Sequence, residues 1–311
     1  MMLKDKLVVT IIVLFFSKIT LANCMLANGE VNLGSQSSFE ILNGNIKKKG
    51  SSGLTCSGLS LTVLTHHTVQ AQINSTWNNM KMINIDGSGD YIPYIIYADK
   101  KFQYSYQVGQ LIDYGQLNLI SIIFSSKKSQ VPLYIKIIPR TANVRAGVYQ
   151  DIININWKYH ICNLGSLFIC LSAWDGHGST LIKVQVIVNK DCLINDSQNV
   201  DFGSHALIDQ FNPLIQRMTL ICTKQEHYKV WFNEGLHATY GWRRMSDGKQ
   251  HYMMYNIYHP DTNLIWNSKN PKELVGTGKH QSLLYKTSVN NKQTELHSGN
   301  YSDNISIVVE Y

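Results

Sequence analysis

The residues best suited to chemistry are a few histidines, cysteines and one aspartate in short clusters. Asp175-Gly-His-Gly178 offers a carboxylate and an imidazole, and His160 stands just before Cys162-x7-Cys170, a partial zinc pattern. His66-His67 is the third cluster, but neighbouring side chains of a strand point to opposite faces, so the pair makes a poor chelate. Asp175-Gly-His-Gly178 also reads as an ordinary polar turn. Gly-x-Ser-x-Gly, His-Glu-x-x-His and a glycine-rich phosphate loop are all missing from the sequence. No enzyme, metal or cofactor is therefore expected. Asn-x-Ser/Thr sequons at Asn74, Asn195, Asn300 and Asn304 would matter only in a eukaryotic secretory pathway.

The beginning of the chain bears on how those cysteines are used. Lys4 and Lys6 precede an apolar run from Leu7 to Phe16, and Thr20-Leu21-Ala22 supplies small residues of the kind a signal peptidase reads. Ten apolar residues are too few to span a bilayer, so residues 1–22 are expected to be a cleaved export signal. All six cysteines follow it, and an even count in an exported chain favours disulfides over metal ligation. Cleavage would leave 289 residues, enough for two domains, with the formal charge falling from +7 to +5. The lysines are scattered, apart from Lys47-Lys48-Lys49, which reads as a solvated loop, so no nucleic-acid partner is expected.

Strand signals dominate the remainder. Leu59–Leu64, Leu117–Phe124, Ile152–Trp157 and Leu181–Val188 are rich in β-branched and aromatic residues, with Gly, Asn, Ser and Asp clusters such as Asp86–Asp90 between them. Five landmarks then recur in one order. They are a cysteine pair (Cys24 and Cys56; Cys192 and Cys222) and Trp-x-x-Met (Trp77 to Met80; Trp242 to Met245). Next come Tyr-x-x-Tyr-x-Ile-Tyr (Tyr91 to Tyr97; Tyr252 to Tyr258) and a Leu-Tyr pair (Leu133-Tyr134; Leu284-Tyr285). The last is Gly-x-Tyr-x-Asp (Gly147 to Asp151; Gly299 to Asp303). The chain therefore reads as two copies of one all-β sandwich, over 23–190 and 191–311. Cys24–Cys56 and Cys192–Cys222 would each tie neighbouring strands, Tyr149 and Tyr301 would resemble tyrosine corners, and the Tyr-x-x-Tyr-x-Ile-Tyr segment would need a bulge.

The copies end differently. After Gly147–Asp151 the first runs through a connector to a strong strand over Thr180–Val188; after Gly299–Asp303 the second has only Asn304–Tyr311. The second copy is expected to lack its final strand, leaving Ile305, Ile307, Val309 and Tyr311 as an edge that accepts a donor strand. Here the sequence resembles the spore coat protein U-like family of archaic, Csu-type chaperone–usher pili. The resemblance is most specific at Cys192, Phe202-Gly203, Cys222, Arg244-Met245, Tyr255–Tyr258 and Gly299–Asp303. In the first copy Leu33-Gly34 replaces Phe-Gly and Asn79 precedes Met80 in place of Arg. It implies immunoglobulin-like pilin folds, a periplasmic chaperone, an outer-membrane usher and the donor strand of the next pilin subunit as partners. With Cys24 so near the expected cleavage point, such a chain would accept a strand and have none to give, which places it at a pilus tip.

A tip adhesin needs a surface. Counting strands places the Ile161–Gly178 connector at the pole of the first copy away from the second. It holds Leu164, Leu167, Phe168, Ile169, Leu171 and Trp174, with Cys162 and Cys170 placed to clamp it into a finger. A hairpin packed on the core is the competing account of those apolar residues. Phe102, Tyr104 and Tyr106 form a second candidate finger. By the resemblance such fingers grip abiotic, hydrophobic surfaces and support biofilm formation, many weak contacts adding up. Two alternatives are a tip lectin for a host surface, with Trp174 stacking on sugar beside Asp175, and a spore or outer-coat structural protein.

Overall fold

The computed structural model describes residues 23–57, 61–63, 67–115, 128–141, 143–166, 168–294 and 296–311. The export signal expected over 1–22, the strand expected over 117–124, His66 and Leu167 lie outside them. The described residues are nearly all β, and they form two compact units. One contains the described residues up to Ser35 with Gly44–Thr141 and Val148–Ile187; the other contains Gln36–Asn43, 143–147 and Val188–Tyr311.

In the first half the strands are β1 (Asn23–Leu26), β2 (Gly29–Ser37), β3 (Lys47–Ser57), β4 (Leu61–Val63), β5 (Thr68–Thr76) and β6 (Lys81–Asn84). They continue as β7 (Tyr91–Tyr97), β8 (Leu111–Asp113), β9 (Lys128–Ile137), β10 (Gly147–Ser166) and β11 (Ile169–Asn189). A six-residue helix, α1 (Ser38–Asn43), follows β2. Hydrogen bonding runs β1-β3-β9-β7-β6-β10-β11-β2, with β5 on β10. β11 therefore closes the unit, lying between β10 and β2. Its residues Thr180, Ile182, Val184, Val186 and Val188 alternate inward and are all buried.

The second half repeats this plan with β12 (Cys192–Ser197), β13 (Leu214–Cys222), β14 (His227–Phe232) and β15 (Arg243–Ser246). β16 (Tyr252–Tyr258), β17 (Lys272–Val275), β18 (Gln281–Val289) and β19 (Ile307–Glu310) complete it. A five-stranded sheet, β12-β13-β18-β16-β15, faces a three-stranded one, β17-β14-β19. Met218, Leu220, Tyr228, Val230, Phe232, Tyr255, Trp266 and Tyr285 are buried between them. In the first copy β6 pairs with β10 through Gln150 and Ile83, making one continuous ribbon; the same joint in the second copy narrows to a single bridge between Ser246 and Ser302.

The pairing registers check the repeat. Cys24 faces Cys56 and Cys192 faces Cys222, and both pairs are disulfide-bonded. Tyr301 Oη donates to His297 O at 2.7 Å, a tyrosine-corner contact on the preceding loop. Three expectations need correction. The tyrosine segment has no bulge: β7 alternates regularly, with Ile92, Tyr94 and Ile96 inside and Tyr91 and Tyr97 on the outer side. Two landmarks slide in register. Met82 pairs with Ile92 as Met245 pairs with Met253, so Lys81-Met82, not Asn79-Met80, matches Arg244-Met245. Tyr97 faces Tyr134 while Tyr258 faces Lys286, which brings Leu133 into the place of Tyr285.

Candidate functional site

The segment expected as a connector is itself strand. β10 and β11 are neighbouring strands on either side of residue 167, β4 pairs in parallel with β10 over Leu164–Ser166, and a disulfide between Cys162 and Cys170 clamps β10 to β11 near these ends. Phe168 occupies left-handed backbone at φ 70°, an unusual setting for an aromatic residue. Phe168, Ile169 and Leu171 are 68%, 64% and 73% exposed, while Trp174 is half-buried. The Leu164 side chain and all of Leu167 lie outside the described residues. Further along β10 and β11, His160 Nδ1 and Asp175 Oδ1 meet at 2.7 Å across the two strands, so Asp175 is already engaged.

The second candidate finger is corrected. Tyr106 is fully buried, because its hydroxyl meets that of Tyr114 at 2.7 Å inside the domain; burial pushes the pKa of both phenols up. Phe102 is half-buried, edge-on to Tyr97 and Tyr134 with the Lys47 ammonium over its ring. The Asp99 carboxylate folds this loop back by accepting from the amides of Lys101, Gln103 and Tyr104. Tyr104 alone of the three stays exposed.

The other site is in the second copy. Because Asp303 stands where Asp151 does, Ile305, Ile307, Val309 and Tyr311 match Ile153, Ile155, Trp157 and Tyr159 of β10. Ile153 and Ile155 are fully buried and Trp157 is 2% exposed, covered by β11. Ile305, Ile307 and Val309 are only half-buried, and among the described residues β19 pairs with β14 alone. Ile305 precedes the strand, and Tyr311 is half exposed beyond it.

Sequence reasoning missed the opposite wall. Gly34 and Gly203 share left-handed backbone, at φ 82° and 77°, which sets Leu33 against Phe202 and Val31 against Val200. Val31 and Leu33 belong to β2, pair with β11 and are buried. Val200 and Phe202 form no strand and are half-buried. The recurring Leu-Gly and Phe-Gly dipeptides were the available signal. Val200, Phe202, Ile305, Ile307 and Val309 all pack half-buried against one core, and the edge of β19 away from β14 pairs with no strand among the described residues. Among the described residues no group of three or more His, Cys, Asp and Glu is placed to hold a metal.

Two tandem β domains, one closed by its own strand and one open along the same edge, define a pilin-type pair. The chain belongs to the Spore Coat Protein U domain family, which it matches over residues 11–156 and 179–308. Its fold is similar to that of a chain in the chaperone–tip adhesion subunit complex CsuC–CsuE from archaic chaperone–usher Csu pili of Acinetobacter baumannii. That match has a TM-score of 0.67 and 24% identity, covering 93% of this chain and 100% of that one. The CupB6 tip adhesin from Pseudomonas aeruginosa is a weaker likeness, with a TM-score of 0.36 and 12% identity over 93% of each chain. The P pilus rod subunit PapA matches 39% of this chain and 98% of its own, with a TM-score of 0.30 and 15% identity. No curated protein matches in sequence.

Proposed function

We propose that this protein is a tip adhesin of a chaperone–usher pilus. Its second copy, over 191–311, joins the shaft by taking a donor strand from a pilin subunit, and its first copy, over 23–190, meets the target surface through the β10–β11 finger. The observation that carries the reading is the contrast between equivalent positions. Ile155 and Trp157 are buried under β11, whereas Ile307 and Val309 are half-exposed beside an edge that pairs with nothing else among the described residues. Extended backbone with alternating apolar side chains is the chemistry that fills such a groove. A periplasmic chaperone would supply it before assembly, an outer-membrane usher would exchange it, and the chain would end at the cell surface.

Phe168, Ile169 and Leu171, clamped by Cys162–Cys170, suit a hydrophobic, abiotic surface and hence biofilm formation. Apolar side chains held out by a braced ribbon bury area on contact without first losing much conformational freedom. The test is thermal melting of the full chain with and without a pilin N-terminal segment peptide. A second-copy transition that rises with peptide is the expected result; a transition that ignores the peptide overturns strand acceptance.

A further inference from the structure

In the first copy the closing strand does more than fill space. Trp157, on β10, directs its ring nitrogen inward, and Nε1 donates to Thr180 Oγ1 of β11 at 3.0 Å; Thr180 in turn donates to Ser52 O at 2.9 Å. Of the five inward residues of β11, four are aliphatic, and the one hydroxyl stands opposite the aromatic polar atom. In the second copy the place of Trp157 is taken by Val309, which pairs with Val230 of β14. The aromatic group comes from the next inward rung of β14, where Tyr228 replaces the small Val69 of β5. Tyr228 is 2% exposed, and its hydroxyl is buried with no hydrogen-bond partner among the described residues. It lines an opening shared with Glu310 and Tyr311 at the end of β19 and Leu274 of β17. A buried hydroxyl without a partner costs free energy that a bonded one does not.

We propose that the strand completing the second copy carries a hydroxyl or amide side chain on its inward face, positioned to bond the Tyr228 hydroxyl as Thr180 bonds Trp157. The inference rests on the strand-acceptor reading and adds a chemical requirement to it. A purely aliphatic donor would fill the groove and leave Tyr228 unsatisfied, so Tyr228 selects among donor strands of equal hydrophobicity.

The test uses the full chain and peptides built on Ser179–Asn189, the chain's own closing strand, supplied in trans. One peptide has valine at all five inward positions; five others place a single threonine at each position in turn. Binding to the wild-type chain and to Tyr228→Phe is measured by fluorescence anisotropy. One threonine position should bind the wild type about five- to tenfold more tightly than the all-valine peptide, the worth of one hydrogen bond to a buried group, and lose that gain in Tyr228→Phe. Tyr228→Phe removes only an unpaired hydroxyl, and an unchanged melting temperature confirms that it folds. A gain that persists in Tyr228→Phe, or no gain at any position, overturns the inference while leaving strand acceptance standing. If no peptide binds either protein, strand acceptance fails and the inference fails with it.

Discussion

Tyr255 Oη donates to Asp303 Oδ2 at 2.8 Å, joining the middle of the tyrosine segment to the end of the Gly-x-Tyr-x-Asp motif 48 residues on. The first copy repeats the bond at the same length, from Tyr94 Oη to Asp151 Oδ2. Each carboxylate also holds the chain after the strand that pairs with its own: Asp151 accepts from the amides of Asn78 and Ile152, Asp303 from those of Leu236 and Asn304. Two of the landmarks that repeat in sequence are thus the two ends of one hydrogen bond.

Removing the donor should destabilise each copy independently. Tyr94→Phe and Tyr255→Phe each leave a carboxylate short of one bond, costing about 1.5–3 kcal/mol, the range for hydrogen bonds to charged groups, with the buried Asp151 at the upper end and the half-buried Asp303 at the lower. Chemical denaturation should show two transitions, each variant lowering one. A variant that lowers both transitions equally would show that the bond does not act within one copy.

The copies should respond oppositely to acid. Burial pushes the Asp151 carboxyl up, beyond what the hydrogen bonds from Tyr94, Ile152 and Asn78 bring back. Its folded value lies above the unfolded one, so its contribution is fully present below about pH 4 and is lost as pH rises through the raised value. Burial also pushes Asp247 up, but the His251 ring at 2.7 Å and the amides of Lys249 and His251 outweigh it and hold the carboxyl at about 2. That contribution is present above about pH 4 and disappears as pH falls toward 2. Acidification should therefore weaken the second copy relative to the first. Asp247→Asn should flatten the loss between pH 4 and 2 in melting experiments; an unchanged acid profile in that variant would refute the assignment.

Equivalent substitutions on the two final inward faces should differ in cost. Ile155→Asp places a charge in a fully buried site under β11 and should unfold the first copy, whereas Ile307→Asp meets a half-open groove. The second variant should melt close to wild type without a donor peptide yet bind that peptide at least tenfold more weakly. Equal loss of stability in both variants would mean that the groove is already closed.

The periodic features were legible in the sequence, and the register was not. Cysteine pairs, the Tyr–Asp motifs and the alternating closing strand have spacings fixed by strand geometry, so they located two copies and the open edge. Trp-x-x-Met misled because Trp77 and Trp242 sit at the ends of loops of different length, while the structural match is a base stacked on an aromatic ring. Lys81 lies 4.4 Å from the centre of Tyr91 and Arg244 lies 4.2 Å from that of Tyr252. The Leu-Tyr slip has the same origin: one residue of register changes the face, and only pairing reveals it. Tyr106 looked like a surface aromatic because its partner, Tyr114, is eight residues away around a turn.

The finger should act by its apolar tip. Phe168→Asp with Leu171→Asp alters two exposed side chains and should leave the melting temperature unchanged. At about 25 cal/mol per Å2, each would forfeit roughly 1–2 kcal/mol of contact with a hydrophobic surface. Retention of cells or purified tips on polystyrene should drop by more than tenfold. Trp174→Ala separates a glycan site: loss of sugar binding with plastic adhesion retained would favour a lectin. Closure of the short Cys162–Cys170 loop contributes about 2.5 kcal/mol by chain-entropy estimates, so reducing it should loosen the tip without unfolding the domain.

Arg243 should prove the least replaceable residue of the second copy. It is fully buried, with Nε donating to Asn233 O at 2.8 Å and Nη2 to Phe232 O and Trp266 O at 2.9 and 3.0 Å. Nη1 reaches Asn256 Oδ1 at 3.3 Å, so one guanidinium ties the end of β14 to the loop after β16. Burial lowers its pKa, and the nearby Glu234 carboxylate partly offsets that. In the first copy the matching position is Met80, on left-handed backbone at φ 57°, where Thr76 Oγ1 accepts from its amide and no such tie exists. Arg243→Met would leave three carbonyls of the second copy short of a donor, a loss of about 3 kcal/mol or more. Arg243→Lys should recover less than half of it, because one ammonium cannot point along the separate directions of a planar fork. Urea unfolding of the two variants measures both losses, and a lysine variant as stable as the wild type would show that charge alone, without the fork, holds these strands.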